Sequence, residues 1–146
     1  MITKQEDFIR KLIREELKSI NENYTNKSVN IGDIYSESDI YSYIQNMHRN
    51  EEDFYDGDIG ERIENFPKYQ VAVIPINKIM LEEYELDDFY LKKYIEKYKE
   101  IGSYPPIVLG YYDGHWGHYD IIDGNHRANA LERIGLKEIV CFVGLN

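Results

Sequence analysis

Between Tyr69 and Val143 the hydrophobic pattern switches back and forth between the period of a strand and the period of a helix. No all-helix or all-strand fold accommodates such switching. Val71-Ala72-Val73-Ile74-Pro75-Ile76 is an apolar, β-branched run closed by proline, which reads as a strand. Asp87 can cap a helix carrying Phe89, Leu91, Tyr94, Ile95, Tyr98 and Ile101 on its inner side, and Gly102 stops it. Pro105-Pro106 forbids helix, and Ile107-Val108-Leu109-Gly110-Tyr111-Tyr112 follows as a strand. Asp113-Gly114-His115-Trp116-Gly117 is turn chemistry, and Tyr119 to Ile122 returns as the partner strand. A helix runs from about Asn125 to Ile134, closed by Gly135, and Glu138 to Val143 is the last strand. The expected class is α+β: a β-α-β-β-α-β unit with strands near 71–76, 107–112, 118–122 and 138–143, and helices near 87–101 and 125–134.

That unit occupies residues 67–146. Residues 1–66 read as a helical and acidic N-terminal extension. Thr3-Lys4-Gln5-Glu6 fits a capping box, and Phe8, Ile9, Leu12, Ile13, Leu17 and Ile20 then repeat at helical spacing. The stripe predicts a helix over 4–20 that packs on the core, or on a second copy or a protein partner. Ser36-Glu37-Ser38-Asp39 can cap a short helix through Ile40, Tyr43, Ile44 and Met47. Residues 49–65 are acidic and read as a loop, with one helical turn near Ile59 to Ile63.

Charge narrows the function classes. There are 27 acidic and 17 basic residues, for a net charge of −10. Sequence-independent binding to DNA or RNA needs a basic surface, so direct nucleic-acid binding is not expected. A nucleotide pocket needs only a few local cations and remains open. The single cysteine, Cys141, excludes an intramolecular disulfide. It sits in a strand-like run and reads as a small buried hydrophobe, with a reactive thiol as the alternative. No apolar run approaches the roughly 20 residues of a membrane span. The first residues lack the apolar core of a signal peptide. The expected location is cytoplasmic.

The chemistry concentrates in Ile121-Ile122-Asp123-Gly124-Asn125-His126-Arg127-Ala128-Asn129-Ala130-Leu131. An apolar strand enters an Asp-Gly turn, and Asn, His and Arg stand where a helix begins. A helix start presents unpaired N–H groups and a partial positive charge, so it attracts anions. Gly124, Asn125, His126 and Arg127 are the candidate phosphate contacts, Arg127 through its planar donor fork. Substituting Arg127 by Ala is expected to weaken nucleotide binding and leave the fold intact. Asp123 has two readings, a capping turn residue or a ligand of Mg²⁺ or a substrate hydroxyl. Glu82, Glu83 and Glu85 follow the first strand. They are candidate general bases or a solvated charge run. His115 and His118, beside Asp113 and Asp120, offer a metal reading or an ordinary hairpin tip, and Trp116 a platform for a base.

The element order together with Ile122-Asp123-Gly124-Asn125-His126-Arg127-Ala128-x-Ala130-x-x-x-x-Gly135 resembles the ParB/sulfiredoxin superfamily, over about half the chain. The resemblance implies nucleotide binding at this turn. ParB proteins carry a Glu-Arg-Arg variant and bind CTP. Sulfiredoxins carry Gly-Cys-His-Arg and use the cysteine with ATP. Free serine kinases of the superfamily carry Asp-Gly-His-His-Arg, the variant most similar to this one. Asn125 stands where sulfiredoxins have their cysteine, and an amide cannot replace a thiolate nucleophile. No DNA-binding helix-turn-helix is recognisable downstream. The kinase-like resemblance implies ATP or ADP, with CTP an alternative, together with Mg²⁺. It implies Glu82, Glu83 or Glu85 as base, catalytic roles for Asp123 and His126, and a small-molecule or protein acceptor. Three functions therefore compete: a phosphotransferase or nucleotide hydrolase, a ParB-like nuclease, and a non-enzymatic nucleotide-sensing or partner-binding module. Net charge counts against the nuclease, because a polyanion must approach.

Overall fold

A computed structural model describes residues 30–49, 59–83, 86–111 and 117–146. The expected helix over 4–20 lies outside the described residues. In chain order the elements are β1 (Ile34–Ser36), α1 (Glu37–Arg49), α2 (Ile59–Glu64), β2 (Lys68–Pro75), a 3-10 turn (Ile76–Lys78), β3 (Ile79–Met80), α3 (Asp88–Ile101), β4 (Ile107–Tyr111), β5 (Tyr119–Asp123), α4 (Asn125–Ile134) and β6 (Glu138–Leu145). The protein is mixed α+β, as its periodicity predicts. The expected strands and helices of the C-terminal unit are all present.

The described strands form one sheet in the order β1-β2-β6-β4-β5-β3. β1–β2, β2–β6 and β4–β5 pair antiparallel, while β4–β6 and β3–β5 pair parallel. β6 lies between β2 and β4, and every residue from Ile139 to Gly144 is buried. A strand buried on both faces needs layers above and below it.

Part of that cover comes from residues 34–49 and 59–66, which sequence pattern groups with the N-terminal extension. Tyr35, Ile40, Tyr43, Ile44, Ile63 and Phe66 belong to the same core as β4 and β6. The Tyr35 and Tyr43 rings meet Phe142 edge-on, at 5.5 and 5.0 Å between centroids. β1 and β3 have no signal in the pattern, because strands of three and two residues are too short to show a period.

Asp87 caps α3 as expected, accepting from the Phe89 N–H at 2.9 Å, and Gly102 ends it with φ 76°. Two expected inner residues of α3 are in fact exposed, Phe89 at 66% and Ile101 at 51%. Leu91, Tyr94 and Tyr98 are buried and define the inner stripe. Phe89 stands two residues before Leu91, about 200° around the helix axis. Ile101 ends the last turn.

β6 is held against the link between α2 and β2 by a close approach at Gly144. A side-chain carbon there would lie under 3.0 Å from three atoms of the buried Phe66 ring. Gly144→Ala should therefore cost about 1–3 kcal/mol, the usual range for overpacking. Urea denaturation measures this, and Phe66→Leu should absorb part of the penalty in the double variant.

Candidate functional site

The turn between β5 and α4 starts from a register irregularity. Val108 pairs with Asp123 but Leu109 pairs with Ile121, so β5 carries one extra residue at Ile122. Such a bulge re-aims the side chains around it. Ile121, Ile122 and Asp123 are consequently all buried. Gly124 follows with φ 105°, a conformation that L side chains rarely adopt. A Cβ at Gly124 would also lie 2.9 Å from both Arg127 Nη2 and Ile107 Cδ1. The glycine is required because a guanidinium packs beneath it.

That guanidinium belongs to Arg127, which is 5% exposed. Its Nη2 donates to Asp123 Oδ2 at 2.8 Å. Its Nη1 donates to the Pro105 and Pro106 carbonyls at 3.1 and 3.2 Å. The Tyr43 hydroxyl donates to the same Pro106 carbonyl at 2.8 Å. Burial by itself pulls the arginine pKa down. Tyr43, Asp123 and Tyr98 together outweigh burial, so the net shift is upward and the side chain stays charged. Buried carbonyls need donors, and β4 begins only at Ile107. Arg127 supplies those donors from the far side of the chain.

Arg127 therefore points inward, and its Nη1 and Nη2 donors are engaged with Asp123 and the Pro105 and Pro106 carbonyls. Asp123 is held in the same interior pair. Its carboxylate is 6% exposed and paired with Arg127. Among the described residues, no group of three His, Cys, Asp or Glu side chains could hold a metal ion. Asp113, His115, Trp116 and Glu85 lie outside the described residues.

Asn125 has a connecting role. Its Nδ2 donates to the Glu82 carbonyl at 2.8 Å, and its Oδ1 accepts from the Glu82 N–H at 3.1 Å. The amide copies a strand partner and clamps the segment after β3 to the head of α4. Asn129 Nδ2 supports it from one turn below, donating to Asn125 O at 2.8 Å and Oδ1 at 3.0 Å. Glu82 is brought to the turn through its backbone, and Glu83 is exposed beside it.

His126 faces the other helix. Its Nε2 accepts from the Asp87 N–H at 2.8 Å, so that nitrogen carries no proton and the neutral ring is protonated on Nδ1. The imidazole meets the Tyr90 ring at 6.0 Å, and Lys93 Nζ stands 5.8 Å from the Tyr90 centroid. The starts of α3 and α4 thus converge. Their electrostatics differ. The α3 start is capped by Asp87 and carries Asp88 in its first turn. The α4 start has Gly124 as N-cap, no side-chain cap and no acidic residue in its first turn. Of these two starts, that of α4 is the one whose helix dipole meets neither a side-chain cap nor an acidic residue of its own first turn. Tyr90 and Lys93 carried no separate sequence signal, since half-buried residues at helical spacing read as ordinary packing.

Cys141 is buried in β6. Burial pushes its thiol pKa well up, with Arg127 and the Ile107 backbone only partly opposing. The reading as a small hydrophobe fits, and the thiol is not activated.

The family model described as ParB N-terminal domain matches residues 60–144. Comparison with the curated proteins gives no match. Among solved structures, sulfiredoxin from Arabidopsis thaliana is similar with a TM-score of 0.44 and 25% identity, over 53% of this chain and 86% of that one. The C-terminally truncated chromosome-partitioning protein ParB from Caulobacter crescentus, complexed with CTP-gamma-S, is similar with a TM-score of 0.45 and 23% identity, over 52% of this chain and 45% of that one. SbnI with C-terminal truncation from Staphylococcus aureus gives 0.44 and 26%, over 52% and 30%. The match thus spans less than half of the ParB and SbnI chains.

Arg127→Ala should unfold the protein more readily, contrary to the expectation that the fold stays intact. Removing one partner of a buried ion pair costs about 3–5 kcal/mol. Chemical denaturation measures it, and Asp123→Asn should lower stability in the same direction. Cys141 should resist iodoacetamide in the native protein and react after denaturation.

Proposed function

This chain belongs to the ParB N-terminal domain family, and on that premise we propose that the start of α4 binds the phosphates of a nucleoside di- or triphosphate. One observation carries the reading: the first turn of α4 has no side-chain cap and no acidic residue, and it follows a glycine. Backbone N–H groups of Asn125 and His126 would face the anion. The His126 Nδ1–H and the Lys93 ammonium would flank it. Arg127 and Asp123 act from beneath by holding the turn in shape, and Gly124 keeps its backbone open to a close approach. ATP or ADP is the ligand that the kinase-like motif implies, with CTP the alternative. Among the described residues no group of three His, Cys, Asp or Glu side chains could hold a metal ion, and no step is assigned to Mg²⁺.

Phosphoryl transfer or hydrolysis follows as a second stage of the same proposal. Asn125 holds the Glu82 backbone at the turn, which supports Glu82 or Glu83 as the base that takes a proton from the acceptor or from water. The contribution of the protein would then be positioning and charge stabilisation. A second reading, a nucleotide sensor without chemistry, draws on a different observation. Asp123, Asn125 and Arg127 all use their side chains in internal bonds, which leaves few groups to act on a substrate.

Isothermal titration with ATP, ADP, CTP and GTP, with and without Mg²⁺, tests binding. His126→Ala and Lys93→Ala should each weaken it by about 1.5–3 kcal/mol, the range for a hydrogen bond to a charged group, with the melting temperature kept. Folded wild-type protein that binds none of the four at millimolar concentration sinks the proposal. Phosphate release that disappears in Glu82→Gln or Glu83→Gln would favour the enzyme, and binding without turnover the sensor.

A further inference from the structure

Phe89 is the most exposed large apolar side chain among the described residues. Its backbone is not loose, because its N–H is fixed by the Asp87 carboxylate at 2.9 Å. The Asp87 N–H in turn is bound to His126. The Phe89 ring meets the Tyr90 ring edge-on at 5.3 Å, and Tyr90 continues to His126 at 6.0 Å. Lys93, one turn further along α3, stands over Tyr90. An aromatic edge therefore runs from solvent to the α4 start, with a cation beside it. Exposing a phenylalanine costs the burial free energy that its ring would otherwise contribute. Scattered exposed apolar residues are ordinary, but this one is held rigidly at the rim of a candidate anion site.

We propose that Phe89 stacks the base of the nucleotide whose phosphates sit at the start of α4. This inference rests on the reading under Proposed function. The chemistry is the π-face of a phenyl ring against the π-face of a nucleobase, beside a helix end that takes the phosphates. A phenyl ring offers no hydrogen bond to a base edge, so this contact selects for the presence of a base more than for its identity. Purines, with the larger face, gain more from it than pyrimidines. The ligand class is thus a nucleoside phosphate read by its phosphates and its aromatic face.

Inorganic tripolyphosphate carries the phosphates without the base and separates the two contributions. Titration of the full chain with ATP, CTP and tripolyphosphate should show ATP binding tightest. Phe89→Ala should weaken ATP binding about 5- to 150-fold, the range for loss of one base–aromatic stack, and leave tripolyphosphate binding unchanged. Phe89→Trp should retain ATP binding. Because Phe89 is exposed, circular dichroism and the melting temperature should not change. If Phe89→Ala binds ATP as wild type does, or loses ATP and tripolyphosphate equally, the stacking role is overturned while nucleotide binding stands. If wild type binds neither ATP nor tripolyphosphate, the phosphate site itself is wrong, and Phe89 is then better read as a contact for a protein partner.

Discussion

The ion pair between Asp123 and Arg127 is the interaction on which the rest of the site depends. It joins the end of β5 to the first turn of α4 across Gly124, and through two carbonyls it joins both to the Pro105-Pro106 entry of β4. A buried charge pair costs desolvation, and such a pair is retained only when its remaining donors and acceptors are satisfied. Here the guanidinium fork meets one carboxylate and the Pro105 and Pro106 carbonyls. The proline pair cannot donate, and its bend leaves acceptors facing inward. Arginine, with several donors in one plane, answers that need in a way lysine cannot.

The consequence for function is a division of labour within Asp123-Gly124-Asn125-His126-Arg127. Successive helical residues point about 100° apart, so a compact motif cannot send all its side chains to one ligand. Arg127 goes under the turn, Asn125 sideways to Glu82, and His126 across to Asp87 and Tyr90. On the proposed reading, an anion at this turn would meet mainly backbone at a helix start without a side-chain cap or a first-turn acid. The acids that are near, Asp87 and Asp88, serve the start of α3 instead.

Residues 34–49 enter the same network. Tyr43 of α1 packs on Phe142 and reaches the Pro106 carbonyl that also accepts from Arg127. The family match begins at residue 60, yet a side chain from before that point helps satisfy the charge beneath the turn. The second layer over β6 is therefore continuous with the interior of the site.

Much of the architecture was legible in the chain alone. Runs such as Val71–Ile74 and Leu91–Tyr98 are long enough for period to distinguish strand from helix, and proline and glycine mark where each ends. The turn itself was legible too, because Asp-Gly between an apolar strand and a helix admits few conformations. Which way each motif residue faces was not. The pattern contains no record of the bulge at Ile122, since its cause lies in the pairing of β5 with β4. Nor does it show that Pro105 and Pro106, some twenty residues upstream, present acceptors to Arg127. A local sequence determines periodicity, caps and turns because these depend on neighbours a few residues away. Burial and the direction of a charged side chain depend on segments brought together only by folding, and so the tertiary structure decided that Arg127 holds the turn from within while His126 turns across to α3.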